Sequence, residues 1–358
     1  MLEIIFSFIT SCVLTYFILR YKNLHFDYSS DDDLFGPQKI HKHPVPRVGG
    51  ISIAAGLFAA SAVFILRSKS LDIYTVLLIC SIPTFAIGLA EDLCKRISVR
   101  TRLLFTSFSA LGFVFFLNTH ITKLDIPIVD AIFSAPIFGI VFTIFAIVGL
   151  ANAYNIIDGF NGLVGVVSIF ALLGIAAVSY AVGDFLLLPL CLIMIAAILG
   201  FLIWNYPLGL IFLGDCGAYL IGFWIGSLSV LLCVRNPEVS PWFALVVNSY
   251  PTMETLFTIY RRYLKKGKNP GKSDRLHLHT LIYRRLIRPK QYKNEVIANS
   301  STMPYLWLLS MLSVIPSVIW WHSTPILVFM TVIFYIFYVA LYQNIVRFQS
   351  SNFLFIFK

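Results

Sequence analysis

Residues 185–203 read FLLLPLCLIMIAAILGFLI, an apolar stretch with no charged side chain. It has the length that a helix needs to cross a hydrocarbon core of about 30 Å, and it lacks the alternation of apolar and polar residues typical of a barrel strand. The chain contains eleven such stretches, near residues 2–19, 49–66, 73–90, 103–118, 127–150, 162–182, 185–203, 209–232, 241–260, 304–321 and 325–343. They predict an all-α polytopic membrane protein with about 11 transmembrane helices, two of them kinked at Pro136 and Pro251.

The composition of the whole chain agrees with this prediction. Of 358 residues, 58% are hydrophobic and 12% are charged, and the mean hydropathy is +0.84. An ordinary soluble protein has about 25% charged residues, so that class is excluded. The formal net charge is +10, and on a membrane protein such a surplus collects in cytoplasmic loops rather than on a nucleic-acid-binding domain. The six cysteines form no CxxC pair, so neither a zinc site nor a disulfide framework is supported.

The basic residues are distributed very unevenly between the two sides of the membrane. With the N-terminus outside, 23 of the 27 Lys and Arg face the cytoplasm, and the other four are Arg67, Lys69, Lys123 and Arg235. Because eleven spans are an odd number, this orientation places the C-terminus in the cytoplasm. We expect one transmembrane domain over residues 1–358, with active-site loops on the cytoplasmic side near residues 20–48, 91–102, 151–161, 204–216 and 261–303.

Four acidic residues lie where predicted helices meet the cytoplasmic side, namely Glu91, Asp92, Asp158 and Asp215. Each of them alone has an ordinary explanation as a helix cap, a turn residue or a solvated carboxylate. As a group they indicate a site, because carboxylates at a membrane boundary are costly and rare. Carboxylates near phosphates usually hold Mg²⁺, which binds one or two of them together with phosphate oxygens.

Basic and imidazole side chains complement these carboxylates. Lys42 and Arg47 flank a Pro-x-Pro-x-x-Gly-Gly turn at residues 44–50. Its glycines would let the backbone approach either an anionic ligand or a neighbouring helix. His277 and His279 are two residues apart and therefore do not form the HxxxH pattern of a zinc-binding helix.

Taken in order along nearly the whole chain, these motifs resemble those of the polyprenyl-phosphate N-acetylhexosamine-1-phosphate transferases. This membrane family includes phospho-N-acetylmuramoyl-pentapeptide translocase and the undecaprenyl-phosphate N-acetylglucosamine-1-phosphate transferases. The motifs are Pro-x-Pro-x-x-Gly-Gly at 44–50, the acidic pair at 91 and 92, Asn-x-x-Asn-x-x-Asp-Gly at 152–159, Phe-x-Gly-Asp at 212–215 and Asp-Arg-x-His-x-His at 274–279. Each motif alone is weakly specific, whereas the set is very specific.

The resemblance implies an enzyme that transfers an N-acetylhexosamine 1-phosphate from a UDP-sugar, first of all UDP-N-acetylglucosamine, to undecaprenyl phosphate and releases UMP. The product would start a cell-envelope polysaccharide such as O-antigen. The implied place is the bacterial inner membrane, with the active site on the cytoplasmic face. The implied partners are the UDP-sugar, undecaprenyl phosphate and membrane lipids, without nucleic acid, and a homodimer is a compatible assembly. The implied cofactor is Mg²⁺, with Mn²⁺ as a substitute.

The resemblance also implies roles for single residues. Asp215 matches the magnesium-binding aspartate of the family. Asp92 matches a residue proposed there to help the lipid phosphate act as nucleophile, and it is the second candidate metal ligand. The other catalytic candidates are Glu91, Asp158, His277 and His279. The substrate-binding candidates are Lys42, Arg47, Asn152, Asn155, Asn161, Asn205, Phe212, Asp274 and Arg275. Among them, Phe212 falls where the family stacks an aromatic ring on uracil.

Three positions depart from the family pattern. Glu91 replaces the usual first aspartate of the acidic pair, Asn161 stands where relatives often have a second aspartate, and Thr280 takes the place of a last histidine. None of these changes removes Asp92 or Asp215, so we expect activity. They leave the choice of sugar open.

A transporter or flippase of a lipid-linked or anionic substrate is the alternative function. Such proteins usually bind at the bilayer midplane on broken helices of an internal repeat, whereas here the acidic residues lie at helix ends and no repeat is evident. An intramembrane hydrolase is less favoured, because the chain has neither HExxH nor GxSxG. Arg284, Arg285 and Arg288 are candidate contacts for lipid headgroups or the sugar, and a positive patch that only sets topology explains them equally well.

Overall fold

The structure, a computed structural model, describes residues 1–30, 44–68, 73–264, 267, 276–288, 292 and 294–347. The helices are α1 Leu2–Arg20, α2 Lys22–Ser29, α3 Gly49–Ser68, α4 Ile73–Cys94, α5 Val99–Leu117, α6 Pro127–Phe133, α7 Pro136–Ile157, α8 Leu163–Ala181, α9 Leu187–Asn205, α10 Gly214–Arg235, α11 Trp242–Val247, α12 Ser249–Ile259, α13 Leu278–Ile282, α14 Glu295–Ser301, α15 Met303–Ile319 and α16 Thr324–Val346. Helices α12 and α13 each continue into a π-helical turn, at Tyr260–Leu264 and Tyr283–Ile287. The predicted all-α class is confirmed.

Nine helical segments in the described ranges are long and apolar enough to cross a membrane. They are Leu2–Arg20, Ile73–Cys94, Val99–Leu117, Pro136–Ile157, Leu163–Ala181, Leu187–Asn205, Gly214–Arg235, Glu295–Ile319 and Thr324–Val346. A shorter apolar segment, Gly49–Ile65, belongs to α3. The prediction of a polytopic membrane protein is confirmed, while the count of eleven spans and the orientation stay predictions.

The predicted run at 127–150 is a broken helix rather than a kinked one. Helix α6 ends at Phe133 and α7 begins at Pro136. The proline ring removes a backbone donor and favours an extended conformation in the residue before it, and Ala135 has φ −89° and ψ 115°. The prediction of a kink inside one helix is therefore wrong at this site.

The predicted run at 241–260 is also broken, at Asn248, three residues before the expected kink at Pro251. Pro251 lies in the first turn of α12, where a missing backbone N–H leaves no helical bond unmade. The Asn248 side chain accepts a hydrogen bond from the Tyr154 hydroxyl at 2.9 Å and donates to the Ala244 carbonyl at 3.0 Å. Side-chain contacts at Asn248 thus hold the break in place.

Helix α10 is the centre of the bundle. Every residue from its start through Leu232 is buried, and it packs against α3, α4, α7 and α8. Small residues bring the helices close together. A Cβ on Gly222 would lie 2.7 Å from the Cα of Ala151 in α7, and a Cβ on Gly88 in α4 would lie 2.6 Å from the Cα of Cys216. Such contacts are typical of membrane helices, and they set the start of α10 beside the ends of its neighbours.

Helix α1 turns a polar stripe toward the bundle. Its buried residues recur every four positions and are Glu3, Ser7, Ser11 and Thr15. The Ser7 hydroxyl donates to the carbonyl of Ile193 at 3.0 Å, and the Ser11 hydroxyl donates to that of Ala197 at 2.7 Å, both in α9. Large apolar side chains such as Phe6 and Val13 cover the exposed face. This pattern inverts that of a soluble amphipathic helix, as expected where the surroundings are lipid and not water.

The C-terminal end of α10 is fixed by an ion pair that we call the Asp184 clasp. Arg235 donates from Nε to Oδ2 of Asp184 at 2.8 Å and from Nη2 to Oδ1 at 3.3 Å, and Asn236 donates to Oδ2 at 3.2 Å. Burial acts to raise the pKa of Asp184, but the hydrogen bonds from Arg235 and Asn236 outweigh it and hold this pKa below its ordinary value of 3.8. The clasp ties the connection between α8 and α9 to the end of α10.

Candidate active site

Six helices meet at the end of the bundle opposite to the Asp184 clasp. Helices α4, α7 and α9 end there, and α3, α5 and α10 begin there. The acidic motifs predicted from the sequence lie on these helix ends or in the loops that follow them. Segments that are far apart along the chain are therefore brought to one place.

The segment before α3 is bound to the loop before α10 by three backbone hydrogen bonds. The Gly49 amide donates to the Phe212 carbonyl at 3.0 Å, and the Gly50 amide donates to the Leu213 carbonyl at 2.9 Å. In the opposite direction, the Phe212 amide donates to the Pro46 carbonyl at 2.8 Å. This pairing sets the Pro-x-Pro-x-x-Gly-Gly motif directly against the start of α10.

The paired glycines of this motif serve packing within the protein. A Cβ on Gly50 would lie 2.2 Å from the amide nitrogen of Gly217, and a Cβ on Gly49 would lie 2.3 Å from Cε2 of Phe201. Two explanations of these glycines were open, close approach to a ligand and close approach to a neighbouring helix. The structure shows the second.

Asp92 lies in the last turn of α4 and caps the N-terminus of α10. Its Oδ1 accepts the backbone N–H of Asp215 and its Oδ2 accepts that of Cys216, both at 2.8 Å. The first amides of a helix have no partner inside the helix and attract negative charge. Arg47 Nε lies 3.4 Å from the same carboxylate, which is 1% exposed. In this structure Asp92 therefore fixes the first turn of α10, which carries Asp215.

Asp215 lies between two arginines. Arg47 Nη2 donates to Oδ1 of Asp215, and Arg102 Nη1 donates to Oδ2. The Arg102 guanidinium also lies 5.8 Å from the centroid of the Tyr219 ring, and the Tyr219 hydroxyl donates to Oδ1 of Asn152 at 3.2 Å. One polar network thus joins α5, α7, α10 and Arg47, which lies two residues before α3.

Asp158 follows the last turn of α7, in the electrostatic field of the same network. Burial raises the pKa of Asp158 to about 7. Arg47 opposes this shift, whereas the carboxylates of Asp215 and Asp92 add to it. The structure therefore brings all four predicted acidic residues within electrostatic reach of Arg47.

Residues 276–288, which we call the histidine segment, pack against the turn after Asp158. A Cβ on Gly159 would lie 2.9 Å from Nε2 of His279, and the Phe160 ring lies 5.3 Å from the His279 ring. The His277 and His279 rings are stacked, with centroids 5.2 Å apart and planes at 12°. Both histidines thus adjoin the acidic end of the bundle.

The comparisons with known proteins agree with this geometry. The model of glycosyl transferase family 4 matches residues 74–233. The undecaprenyl-phosphate alpha-N-acetylglucosaminyl 1-phosphate transferase of Thermotoga maritima is 31% identical over 286 residues, which is 80% of this chain and 81% of that protein. The chain belongs to glycosyl transferase family 4.

Two further relatives extend the comparison. The Escherichia coli (strain K12) protein of the same name as the Thermotoga relative is 32% identical over 262 residues, which is 69% of this chain and 67% of that protein. The phospho-N-acetylmuramoyl-pentapeptide-transferase of Staphylococcus carnosus is 28% identical over 291 residues, which is 78% and 89% of the two chains. The predictions of the family and of an enzyme of the phosphoglycosyl transferase class are confirmed.

A half-buried arginine and a buried glutamate of this family 4 enzyme are not among the predicted site residues. In the sequence, Arg102 does not differ from the other basic residues of a predicted cytoplasmic loop. Its contact with Asp215 is visible only from the packing of α5 on α10. Glu254 is 1% exposed in α12 and lies 2.9 Å from Nδ1 of His277. A lone carboxylate inside an apolar run indicates function in a membrane protein. The sequence offers this signal for Glu254.

Two predicted substrate residues lie among the loops at this end of the bundle. Asn205 donates from Nδ2 to the Ile211 carbonyl and accepts the Gly162 amide on Oδ1, each at 2.7 Å, so it holds two loops together. Asn161 is 4% exposed and lies beneath Gly209, on which a Cβ would be 2.4 Å from its Nδ2, and its Oδ1 has no hydrogen-bond partner among the described residues. Contact of either asparagine with substrate stays a prediction.

Glu91 closes the loop between α4 and α5, because its Oε2 accepts the backbone N–H of Ile97 at 2.6 Å. Its predicted catalytic role stays a prediction. Thr280, where relatives often have a histidine, is buried in α13. Asn155 and Phe212 are half-buried at the same end of the bundle.

The remaining predicted residues fall into two groups. Lys42, Asp274 and Arg275 lie outside the described residues. Arg285 is a candidate for binding a headgroup or the sugar. Its Nη1 donates hydrogen bonds to the Ile345 carbonyl at 2.7 Å and to the Val346 carbonyl. It therefore caps the C-terminus of α16, which is a contact within the protein.

The carboxylates of the site fit Mg²⁺ by their chemistry. Within the described ranges, no three His, Cys, Asp or Glu side chains are grouped so that they could hold a metal. Mg²⁺ does not need such a group, because it is usually bound by one or two carboxylates with substrate phosphates and water. The Asp215 carboxylate offers hard oxygen atoms at the buried start of α10, and its role as a metal ligand stays a prediction. Both oxygens of Asp92 accept backbone N–H groups, so its predicted share in the metal stays a prediction.

Proposed function

We propose that this enzyme transfers an N-acetylhexosamine 1-phosphate from a UDP-sugar, most simply UDP-N-acetylglucosamine, to undecaprenyl phosphate and releases UMP. The names of the Thermotoga and Escherichia relatives support the transferred group and the acceptor. We propose further that the product starts an envelope polysaccharide such as O-antigen. The 23 basic residues expected on one side support a cytoplasmic active site in a bacterial inner membrane. A homodimer stays a prediction.

The observation that carries the proposal is the pair of arginines on one buried carboxylate. Arg47 and Arg102 both donate to Asp215, and Arg47 also lies 3.4 Å from Asp92, so each guanidinium has a carboxylate partner inside the protein. Guanidinium groups bind phosphates well, because their planar fork offers two parallel donors. A diphosphate that enters the site would accept hydrogen bonds from the same two arginines. The arrangement therefore suits a reaction in which two anions must approach each other.

The proposed reaction is an in-line displacement at phosphorus. An oxygen of the lipid phosphate attacks the β-phosphorus of the UDP-sugar and forms the new P–O bond. The bond between the β-phosphorus and the oxygen that bridges to the α-phosphate breaks, and UMP leaves with the electron pair. The second pKa of a phosphate monoester is about 6, so the nucleophile is ionised at neutral pH and needs no strong base. Asp92 is then free to serve as the cap of α10.

Mg²⁺ would be held by Asp215, with Asp158 as a second carboxylate within electrostatic reach. When bound, it would neutralise charge on the diphosphate and on the leaving group. Arg47 and Arg102 would then donate to phosphate oxygens instead of to Asp215. His277 and His279 adjoin the turn after Asp158 and would contact the same phosphates.

The test is acceptor-dependent release of UMP by the purified protein in detergent with Mg²⁺. We expect UMP and a lipid-linked sugar diphosphate, detected by mass spectrometry, with undecaprenyl phosphate present and neither without it. A panel of UDP-N-acetylhexosamines under the same conditions identifies the donor. Absence of UMP with every donor would contradict the proposal, and movement of a lipid-linked substrate across vesicles without UMP release would favour the transporter.

A further inference from the structure

Glu254 is a buried carboxylate with three donors around it. It lies in α12 and is 1% exposed. Its Oε2 accepts the Tyr338 hydroxyl at 2.6 Å, and its Oε1 lies 2.9 Å from Nδ1 of His277. The backbone amide of Leu278 donates to both oxygens at 3.3 Å. A charge buried among helices is costly unless it is paired, and here every contact except that of Tyr338 comes from the histidine segment.

The contact with Glu254 decides the state of the His277 ring. A carboxylate only accepts hydrogen bonds, so Nδ1 of His277 must carry the proton that joins the two groups. The contact then holds the ring in one orientation, and Nε2 is the ring nitrogen that does not face Glu254. Because the His277 and His279 rings are stacked, with planes at 12°, the orientation of the first ring restricts that of the second. His279 in turn lies against Gly159, next to Asp158.

One face of α16 holds this arrangement from the other side. Tyr338 donates to Glu254, and the Tyr342 hydroxyl donates to the Leu276 carbonyl at 3.0 Å. The Ile345 carbonyl accepts a hydrogen bond from Arg285 at 2.7 Å. Positions 338, 342 and 345 are four and three residues apart and so share one face of the helix. The last helix of the described chain is thus bound to both ends of the histidine segment.

We propose that Glu254 is a positioning residue, which sets the orientation of His277 and through it that of His279 at the acidic end of the bundle. This proposal rests on the proposed function, because it assigns the two histidines to the phosphates of the donor. Glu254 does not itself touch the substrate. Its effect on turnover passes through His277, which distinguishes it from a carboxylate that only stabilises the fold.

Single variants give the first part of the test. Glu254→Gln keeps the shape of the side chain and removes its charge, and we expect kcat to fall about tenfold to a hundredfold, the usual cost of losing the partner that orients a functional histidine. Tyr338→Phe removes one hydrogen bond to Glu254 and is expected to lower kcat about twofold to tenfold. Tyr335→Phe is the matched control in the same helix, because the Tyr335 hydroxyl has no hydrogen-bond partner among the described residues. It should keep full kcat.

A double-mutant cycle gives the decisive part. If Glu254 acts through His277, Glu254→Gln has no further effect on kcat in a His277→Ala background, at the same folded fraction by thermal unfolding. An equal loss in both backgrounds, or wild-type kcat in Glu254→Gln, would overturn the proposal. If the wild type releases no UMP, the proposed function is wrong. In that case the Kd of UDP in the presence of Mg²⁺ is measured for the same variants. We expect the effects of the two substitutions on this Kd to be non-additive, and additive effects would overturn the positioning role.

Discussion

At the scale of single residues, the site depends on a few buried contacts between charged groups. Arg102 reaches Asp215 from the first turn of α5 and lies over the Tyr219 ring. Asp92 reaches the same turn of α10 from α4 and binds two of its amides. Arg47 approaches from the segment before α3. Each of these side chains holds the position of another, so a change in one of them moves the site as a whole.

Arg102 offers a sharp test of this network. Arg102→Lys keeps the charge but loses the planar fork, so we expect the rate of UMP release to fall about tenfold or more. Arg100→Lys is the matched control, because Arg100 lies two residues earlier in the same helix turn and is exposed. Steady-state kinetics with both variants measure the difference. Equal rates for Arg102→Lys and the wild type would contradict the assignment of Arg102.

Gly214 tests how closely the site is packed. It has φ +78°, and a Cβ there would lie 2.4 Å from the Arg47 carbonyl oxygen and 2.6 Å from Oδ2 of Asp92. Gly214→Ala should lower both the unfolding temperature and activity. Gly183 has φ +72° and nothing within 4 Å of an added Cβ. Gly183→Ala should therefore show only the backbone cost of about 1–2 kcal/mol and keep full activity. Equal effects of the two variants would show that the contacts around Gly214 do not matter.

The sequence predicts one part of the site and leaves another part hidden. Asp158 and Asp215 stand in motifs of fixed spacing, so their importance is visible without a structure. The contacts of Arg102 and Glu254 depend on which helices pack together, and spacing along the chain does not encode that. The sequence predicts Asp92 as a catalytic residue. Its role as the cap of α10 becomes visible only when the position of that helix is known.

At the scale of helices, apolar length predicts the spans well and their breaks poorly. Helix α1 was expected near residues 2–19 and is observed at Leu2–Arg20. The runs that contain Pro136 and Pro251 are predicted to bend and are instead interrupted, at residues 134–135 and at Asn248. A window of hydropathy measures only how apolar a segment is. It does not register a side chain such as Asn248, which binds a neighbouring helix and its own preceding turn.

The polar stripe of α1 gives a prediction for one helix. Ser11 is fully buried, and its hydroxyl donates to Ala197 in α9, where a Cβ on Gly200 would lie 3.0 Å from the Ser11 Cβ. Ser11→Leu should destabilise the protein by about 1–3 kcal/mol, because the close contact has no room for a larger side chain. Val13→Leu on the exposed face should have little effect. Thermal unfolding in detergent compares them, and equal unfolding temperatures would contradict the packing of α1 on α9.

At the scale of the whole molecule, α10 is fixed at both ends. Asp215 at its start binds Arg47 and Arg102, and Arg235 at its end binds Asp184. The helix between them is buried along nearly all its length and contacts α3, α4, α5, α7, α8, α9 and α11. We propose that the acidic end carries the chemistry, while the Asp184 clasp holds the other end. The all-α class and the membrane character followed from composition and apolar length, whereas the central place of α10 did not.

The Asp184 clasp predicts a pH dependence of stability. The pKa of Asp184 is lower in the folded protein than its ordinary value of 3.8. Its stabilising contribution is therefore fully present above that value and is lost as the pH falls below it, toward the folded pKa. The difference in unfolding temperature between the wild type and Asp184→Asn should be constant near neutral pH and shrink in acid. A difference that stays the same or grows in acid would contradict the clasp.

The central claim is that Asp215 and its two arginines form the site at which a sugar phosphate passes to a lipid phosphate. The most direct measurement is acceptor-dependent UMP release by Asp215→Asn, at the folded fraction of the wild type. Asp130→Asn serves as control, because the Asp130 carboxylate accepts the backbone N–H of Leu124 at 2.6 Å and lies outside the site. We predict that Asp215→Asn loses about a hundredfold or more of the rate and that Asp130→Asn keeps it. Wild-type release of UMP by Asp215→Asn would contradict the account.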